Sequence, residues 1–533
     1  MIPLLFTPIA YAEIHYRIKF LFNLLKKSEP EIIADIPHRI TKGQDLPVLM
    51  VIKDSHLYNT NIEKLEIYLN GQYNCEFEIR KFYDTPYADQ VFDLPTNKMS
   101  TGINKFDIKI HYSLRGKKHI CYNDNYRFHS GKPLLCYVAH QTLPGFPQYF
   151  FGDFHVHTNY TNDQIEFGAS ISSTVKMAKA VGLHSFAVTD HSYDLDDHPN
   201  DYTQYDASLT KWKTQHKEID QINAEQKKNF ILLLPGEEVS VRNDAGKTVH
   251  LLILNNEQFY HGSGDSGDQW RPHASEFKIE EILQHLKPHV TAFAAHPRQK
   301  VSKVQKLMLR RGNWQKDDLR HERLRGLQII NGNTVAGLNQ AIAFWTEALL
   351  QGHKLSIIAG NDAHGNFSRT RQMGIPFVTI EETEEHRFGF WRTGFYLHNP
   401  SPTINDVVQA LQQGNVFVTN GPAISIYLTH KGHTVHMGQT ATQVERLILN
   451  LKSSMEFGRI KRWKILSGDP HTAREFVLFE GEPNQKKFVL RQSFELDLNN
   501  RINYVRGFLI SENERGTFRA YTNPIWIDHL IKK

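Results

Sequence analysis

The spacing of hydrophobic and polar positions changes character twice along the chain. From residue 30 to about 140 it is the pattern of short strands. Leu46–Ile52 is an apolar run, Leu65-Glu66-Ile67-Tyr68-Leu69 alternates, and Cys75–Ile79 alternates again after Asn70-Gly71. Period-two alternation gives a strand one buried face, and Asn-Gly supplies the positive φ that a two-residue hairpin turn needs. Phe106–His111 and Ile120–Phe128 continue the pattern, which predicts a β-sandwich over 30–145. From 146 to 402 short apolar runs alternate with amphipathic stretches near 170–181, 206–228, 275–287 and 334–352. That order predicts parallel strands joined by crossover helices. From 403 to 533 one helix ends at Gly414. Alternating runs follow at Ile424–Leu428, Leu447–Leu451, Phe476–Phe479, Val489–Phe494 and Tyr504–Ile510, predicting a second β-sandwich. Residues 1–29 stand apart: 1–12 are apolar and end in Ala10-Tyr11-Ala12, and 13–27 mix apolar and basic residues at helical spacing. No Lys or Arg precedes the first run, which argues against a signal peptide. The second segment predicts a helix packed on its own domain, with weak membrane-surface contact as the sharper alternative.

The chemistry collects in the middle region. Phe150-Phe151-Gly152-Asp153-Phe154-His155-Val156-His157 places two imidazoles at i and i+2, on one face of a strand. Alone this is weak evidence of a metal site. Asn361-Asp362-Ala363-His364 repeats the spacing after Leu355–Gly360. Thr189-Asp190-His191 follows Ser185–Val188, Glu237-Glu238 follows Ile231–Gly236, His250 opens Leu251–Leu254, and His296-Pro297 follows Val290–Ala295. Ligand-type residues recur beside apolar runs too often for coincidence, and they predict a multinuclear metal site at the strand ends of a closed barrel.

Composition adds limits. The 533 residues carry 40% hydrophobic and 22% charged residues with a net charge of +5, which gives no ground for a nucleic-acid or membrane protein. The 29 histidines suit a metal protein. Cys75, Cys121 and Cys136 lack metal-ligand spacing, so no disulfide framework is expected and a reducing, cytoplasmic compartment is favoured. No apolar run reaches transmembrane length. No Gly-x-Ser-x-Gly elbow and no phosphate-cradling glycine loop is present.

These residues resemble the polymerase and histidinol phosphatase (PHP) superfamily. The match runs through Gly152–Thr158, Tyr160–Asp163, Thr189–His191, Gly236–Val239, His250, His296-Pro297 and Asn361–His364. The stretch Leu411–Pro422 is similar to the CehA/McbA-like branch, which includes carbamate hydrolases. The resemblance implies an α/β fold, a distorted (β/α)7 TIM-like barrel flanked by the two β-sandwiches, holding two or three divalent ions: zinc, manganese or iron. It implies that His155, His157 and Asp362 hold one ion, that Glu238 bridges to a second on His250 and His296, and that Asp163, His191 and His364 hold a third. Asp163 stands where many relatives have histidine, and Glu237 is the rival bridge.

Two cations sharing a carboxylate would activate a bridging hydroxide against phosphorus or a carbonyl carbon. Arg298, which follows His296-Pro297, is the candidate catalytic clamp on anionic oxygens, with Arg369 and Arg371 as further substrate-binding candidates. Asp190 is the candidate partner that orients His191. The function expected is a metal-dependent phosphoesterase acting on a small phosphoester, with nucleotides or oligonucleotide ends as nucleic-acid substrates. A carbamate or carboxylic ester hydrolase is the first alternative. A non-catalytic metal-binding scaffold is the second.

Overall fold

The computed structural model describes residues 29–528 except 126–131, 163–166, 226–230, 265–273, 302, 304–305, 307–308, 332–334, 371, 376–377, 382–385, 400, 470, 484–486 and 497–501. The segments 1–12 and 13–27, and the candidates Asp163 and Arg371, lie outside the described residues.

In the N-terminal part, strands Glu31–Asp35, Leu46–Lys53 and Tyr87–Leu94 form one sheet. Arg39–Thr41, Leu134–Ala139, Gly102–Leu114, Thr60–Leu69 and Gln72–Tyr83 form another, with Lys117–Tyr122 also paired to Gly102–Leu114. Ile32, Val48, Met50, Ile67, Phe106 and Ile108 fill the core between them. Asn70 (φ 51°) and Gly71 (φ 82°) make the hairpin turn, the conformation a two-residue loop demands. Cys75, Cys121 and Cys136 are free thiols.

Asp35, fully buried at the end of the first strand, ties this part to the centre. Its Oδ2 accepts from the Phe367 N–H (2.8 Å), and its Oδ1 from the N–H groups of Ser368 and Arg369 (3.1 Å each) and Ile36 (2.8 Å). Asn at this position turns an amide N–H toward backbone donors. Asp35→Asn is therefore expected to cost about 1–3 kcal/mol, read as a lower urea midpoint for the transition that separates the two parts. An unchanged midpoint contradicts this.

The central part is built on strand β1 (Tyr149–His157), which runs parallel to β2 (Ser185–Val188), itself parallel to β3 (Leu232–Arg242). β3 turns directly into antiparallel β4 (Thr248–Leu254), which pairs antiparallel with β5 (Thr291–Ala294). β5, β6 (Leu324–Ile330) and β7 (Ser356–Ala359) are again parallel. On its other edge β1 pairs antiparallel with β8 (Arg392–Tyr396). Through β8 the sheet runs on into Val416–Thr419, Gly516–Thr522, Tyr504–Asn513, Arg459–Asp469 and Arg474–Gly481. A four-stranded sheet, His433–His436, Ala423–His430, Arg446–Lys452 and Val489–Glu495, completes the C-terminal part.

This corrects the expected (β/α)7 TIM-like barrel. Of the described residues 47% are strand and 16% helix, and the central strands belong to one 16-stranded mixed sheet that extends into the C-terminal strands. The physical reason lies in the connections. β3 and β4 are joined by the turn at Asn243–Lys247, closed by the Gly246 N–H donating to the Asn243 carbonyl (2.8 Å). A parallel crossover needs about a dozen residues, so this pair is forced antiparallel. Helices α1 (Ile171–Val181), α2 (Thr210–Glu225) and α3 (Val335–Leu350) match three amphipathic stretches, but the stretch at 275–287 yields only the five-residue helix Ile279–Leu283. The sheet still curls back on itself. The Thr393 hydroxyl of β8 donates to the Ala359 carbonyl of β7 (3.2 Å), and the Asp362 N–H donates to the His155 carbonyl (2.9 Å). Side chains, a loop and a two-residue parallel pairing of 363–364 with 156–157 bring the end of β7 against β1. Among the described residues no helix is long and apolar enough to cross a membrane.

Candidate metal centre

The cluster starts at the end of β1, where residues 151–157 are buried without a break. With both faces covered, the i, i+2 spacing aims His155 and His157 into one enclosed space, and their Nε2 atoms stand 3.2 Å apart. Gly360 passes directly beside this strand. A Cβ there would lie 2.4 Å from the His155 Cβ, so only glycine allows the approach. Residues 363–364 then pair with 156–157, which sets Asp362 and His364 beside the two histidines.

Four atoms converge. His155 Nε2 is 3.3 Å from Glu238 Oε2 and 3.3 Å from Asp362 Oδ1. His157 Nε2 is 3.4 Å and 2.9 Å from the same two oxygens. A tetrahedron of ligands about 2.1 Å from a zinc-sized ion has edges of about 3.4 Å. The spacing therefore fits a cation, and Glu238 Oε2 and Asp362 Oδ1 are buried among these imidazoles.

Glu238 serves two sites. While Oε2 faces His155, His157 and also His191 Nδ1 (3.0 Å), Oε1 faces His250 Nδ1 (2.6 Å) and His296 Nε2 (2.9 Å). Each carboxylate oxygen thus addresses a separate group of imidazoles, the geometry of a bridging ligand. His157, His191 and His364 converge as a further group of donors, with the His364 ring stacked on His157 at 4.2 Å.

Buried polar partners set the tautomers. The Gln328 Nε2 donates to the carbonyls of Ile330 and Gly360 (2.9 Å each), so its Oε1 must be the atom that meets His155 Nδ1 (2.9 Å) and the His296 N–H (3.1 Å). His155 therefore carries its proton on Nδ1 and turns the Nε2 lone pair into the cluster. Thr161 Oγ1 meets His157 Nδ1 (3.2 Å) and fixes the orientation of that ring. Two cluster residues, His296 (φ 29°) and Asp362 (φ 54°), occupy left-handed backbone. Such conformations cost about 1–3 kcal/mol each and persist where the surroundings impose them.

Burial opposes charge on Glu238, but His250, His155 and His191 outweigh it and hold the carboxyl well below its usual range. Burial likewise opposes charge on Asp362, and His155 and His157 overcome it. For His155 burial works against protonation, yet Glu238 and Asp362 raise it above the ordinary imidazole value. At His296 burial wins and the value falls.

Several candidates lie elsewhere. Glu237, one residue from Glu238 and so on the opposite face of β3, accepts from the Asn256 amide, Trp212 Nε1 (3.3 Å) and the Tyr260 N–H (3.3 Å), and burial pushes it to about 8. It is a neutral, packed acid, not the bridge. The Asp190 carboxylate accepts from the Thr158 N–H (2.6 Å) and hydroxyl (2.7 Å), the Thr161 N–H (3.0 Å) and the Gln215 amide (2.7 Å). It fixes the loop that orients His157, and its expected bond to His191 is not formed. The Arg298 guanidinium stacks over Phe344 of α3 at 5.0 Å. Arg369 stands at the junction with Asp35.

Sequence reasoning missed Gln328, Thr161 and Arg311. Gln328 left a signal: it is the lone polar residue in the apolar run Leu327–Ile330. Arg311 left none. Its Nη2 lies 3.0 Å from His250 Nε2, and with His250 and His296 it lines a cavity of about 20 Å³, room for one water.

No family model and no curated protein matches the chain. Among solved structures, a glycosyl hydrolase family 2 member from Bacteroides cellulosilyticus aligns with 95% of this chain and 64% of its own, at 9% identity and a TM-score of 0.21. A calcium-binding mutant of Bacteroides uniformis beta-glucuronidase 2 aligns with 94% and 61%, at 9% and 0.17. A putative beta-galactosidase from Bacteroides fragilis aligns with 93% and 73%, at 9% and 0.18. The chain spans less than two thirds of the first two. Likeness at this level carries no argument about fold or activity.

Proposed function

We propose that the chain is a metal-dependent hydrolase of small phosphoesters, with a donor set of the kind implied by its resemblance to the PHP superfamily. The observation that supports this best is Glu238, whose two oxygens face two groups of imidazoles. Divalent cations held there supply Lewis acidity toward an ester oxygen and lower the pKa of water. His155, His157 and Asp362 would hold one ion, His250 and His296 with the other oxygen of Glu238 would hold a second, and His191 and His364 are the donors left for a third. Gln328 and Thr161 keep the first two rings turned inward, and Asp190 keeps Thr161 in place.

Arg311 favours an anionic substrate. An arginine only donates, so His250 Nε2 accepts from it and the His250 proton sits on Nδ1, against Glu238. When Nδ1 gives up that proton to serve as a ligand, the neutral ring carries its proton on Nε2. The ring then no longer accepts from Arg311, and the guanidinium turns to the anionic oxygens of a phosphoester. The carbamate or carboxylic ester alternative expects activity insensitive to Arg311→Ala.

A metal-loaded panel of phosphomonoesters, phosphodiesters and carboxylic esters tests this reading. Phosphoester turnover is expected, with Arg311→Ala raising KM about 10–100-fold, the worth of one or two charge-assisted hydrogen bonds, at unchanged metal content. Phosphoester turnover no greater than that of His155→Ala overturns it.

A further inference from the structure

A second cavity, of about 270 Å³, lies where the N-terminal sheet, the loop before β8 and the C-terminal strands meet, and no metal-centre residue lines it. An apolar cavity of about 150 Å³ holds benzene, so there is room for a ring and an attached polar group. The walls pair cations with rings: Arg392 lies 5.4 Å from the Phe457 ring, Arg387 5.1 Å from Phe390, and Arg515 4.3 Å from Tyr137. The lining contains a single carboxylate, Glu456, already gripped by Arg39 through two bonds of 2.9 and 3.0 Å.

Arg392 is the telling residue. It is 1% exposed, and its Nη1 donates to the carbonyls of Gly389 (3.0 Å) and Phe390 (3.3 Å), while its Nε and Nη2 meet no hydrogen-bond partner. Burying a cation whose donors stay unmet is costly, and burial, with Arg39 nearby, pushes its pKa down to about 9. His38, also in the lining, is kept neutral by burial and the surrounding arginines. The rim is apolar, with Ile103 and Leu135 exposed.

We propose that this cavity binds a small organic anion, a phosphate or carboxylate group joined to a flat apolar body. The anionic group meets Arg515 and Arg387, with the buried charge of Arg392 behind them, and the apolar body lies against Leu135, Ile103 and Phe518. The site is independent of the metal centre and of the reaction proposed for it.

Calorimetric titration of the full chain with phenylphosphonate, benzoate and inorganic phosphate tests this. One of the two aromatic anions is expected to bind saturably at one site per chain, at least tenfold tighter than phosphate, and the tighter of the two identifies the anionic group. Binding should persist in His155→Ala and weaken at least tenfold in Arg515→Ala, whose side chain is exposed. Absence of saturable binding at millimolar probe, equal binding by Arg515→Ala, or loss of binding in His155→Ala overturns the proposal. If Arg515→Ala does not fold, a crystal of the unmodified chain soaked with 4-bromophenylphosphonate decides. A bromine anomalous peak in the cavity supports the site, and its absence at a saturating concentration overturns it.

Discussion

Glu238→Gln is expected to cut turnover by more than about 100-fold and to remove bound metal, whereas Glu237→Gln one residue away changes either by no more than a few-fold. Losing a mere outer partner of a ligand costs about 10–100-fold, and Glu238 is in contact with five imidazoles. Glutamine keeps the volume but removes the charge and replaces one accepting oxygen with a donor, so one of the two imidazole groups loses its carboxylate contact. Glu237 faces amide, indole and backbone donors, and burial holds it near 8. A neutral amide resembles the protonated acid already present there. Metal content and kcat measured side by side on the two variants check the contrast. Equal losses would mean that the register of β3 is wrong by one residue.

Stripping the metal with a chelator is expected to lower the melting midpoint, and restoring it to raise the midpoint in proportion to the logarithm of free ion. At a free concentration of about 1,000 times Kd, each site adds about 4 kcal/mol. The pH dependence has a definite sign. Ligation needs neutral imidazoles and ionised carboxylates. Burial opposes protonation of His155 and His157, but Glu238 and Asp362 raise both above the ordinary imidazole value, about 6.5. Protons therefore compete with the cation from above that value downward. The metal-dependent gain in midpoint should be largest near pH 8 and shrink toward pH 6. A gain that grows as the pH falls contradicts this assignment of ligands.

The candidate cluster was legible where its geometry is local. Period two alone puts His155 and His157 side by side, and the apolar run before Asp362 marks a strand end, whereas Glu238 lies inside β3. Pairings set by the fold were not legible. Arg298 follows His296 in sequence yet stacks on Phe344, while Arg311 reaches His250 from 61 residues away. The left-handed backbone at His296 and Asp362 could not be read from residue type, since Asp and His visit that region more often than most residues but still only in a minority of cases. The barrel expectation failed for a related reason. Alternating runs show that strands exist, but whether consecutive strands are parallel depends on the length of their connection, and the Asn243–Lys247 turn is too short for a parallel crossover. The strands of β-sandwich character before and after the centre alternate plainly, but nothing in that alternation reveals that the central sheet continues into the C-terminal one through β8.

The account rests on side chains from β1, β3 and the segment after β7 sharing one ion. Anomalous diffraction from crystals of the zinc- or manganese-loaded protein measures this directly. The expected result is a peak about 2.0–2.2 Å from His155 Nε2, His157 Nε2, Glu238 Oε2 and Asp362 Oδ1, with a second on the Oε1 side of Glu238 near His250 and His296. Peaks confined to surface histidines, or none at all, would contradict it.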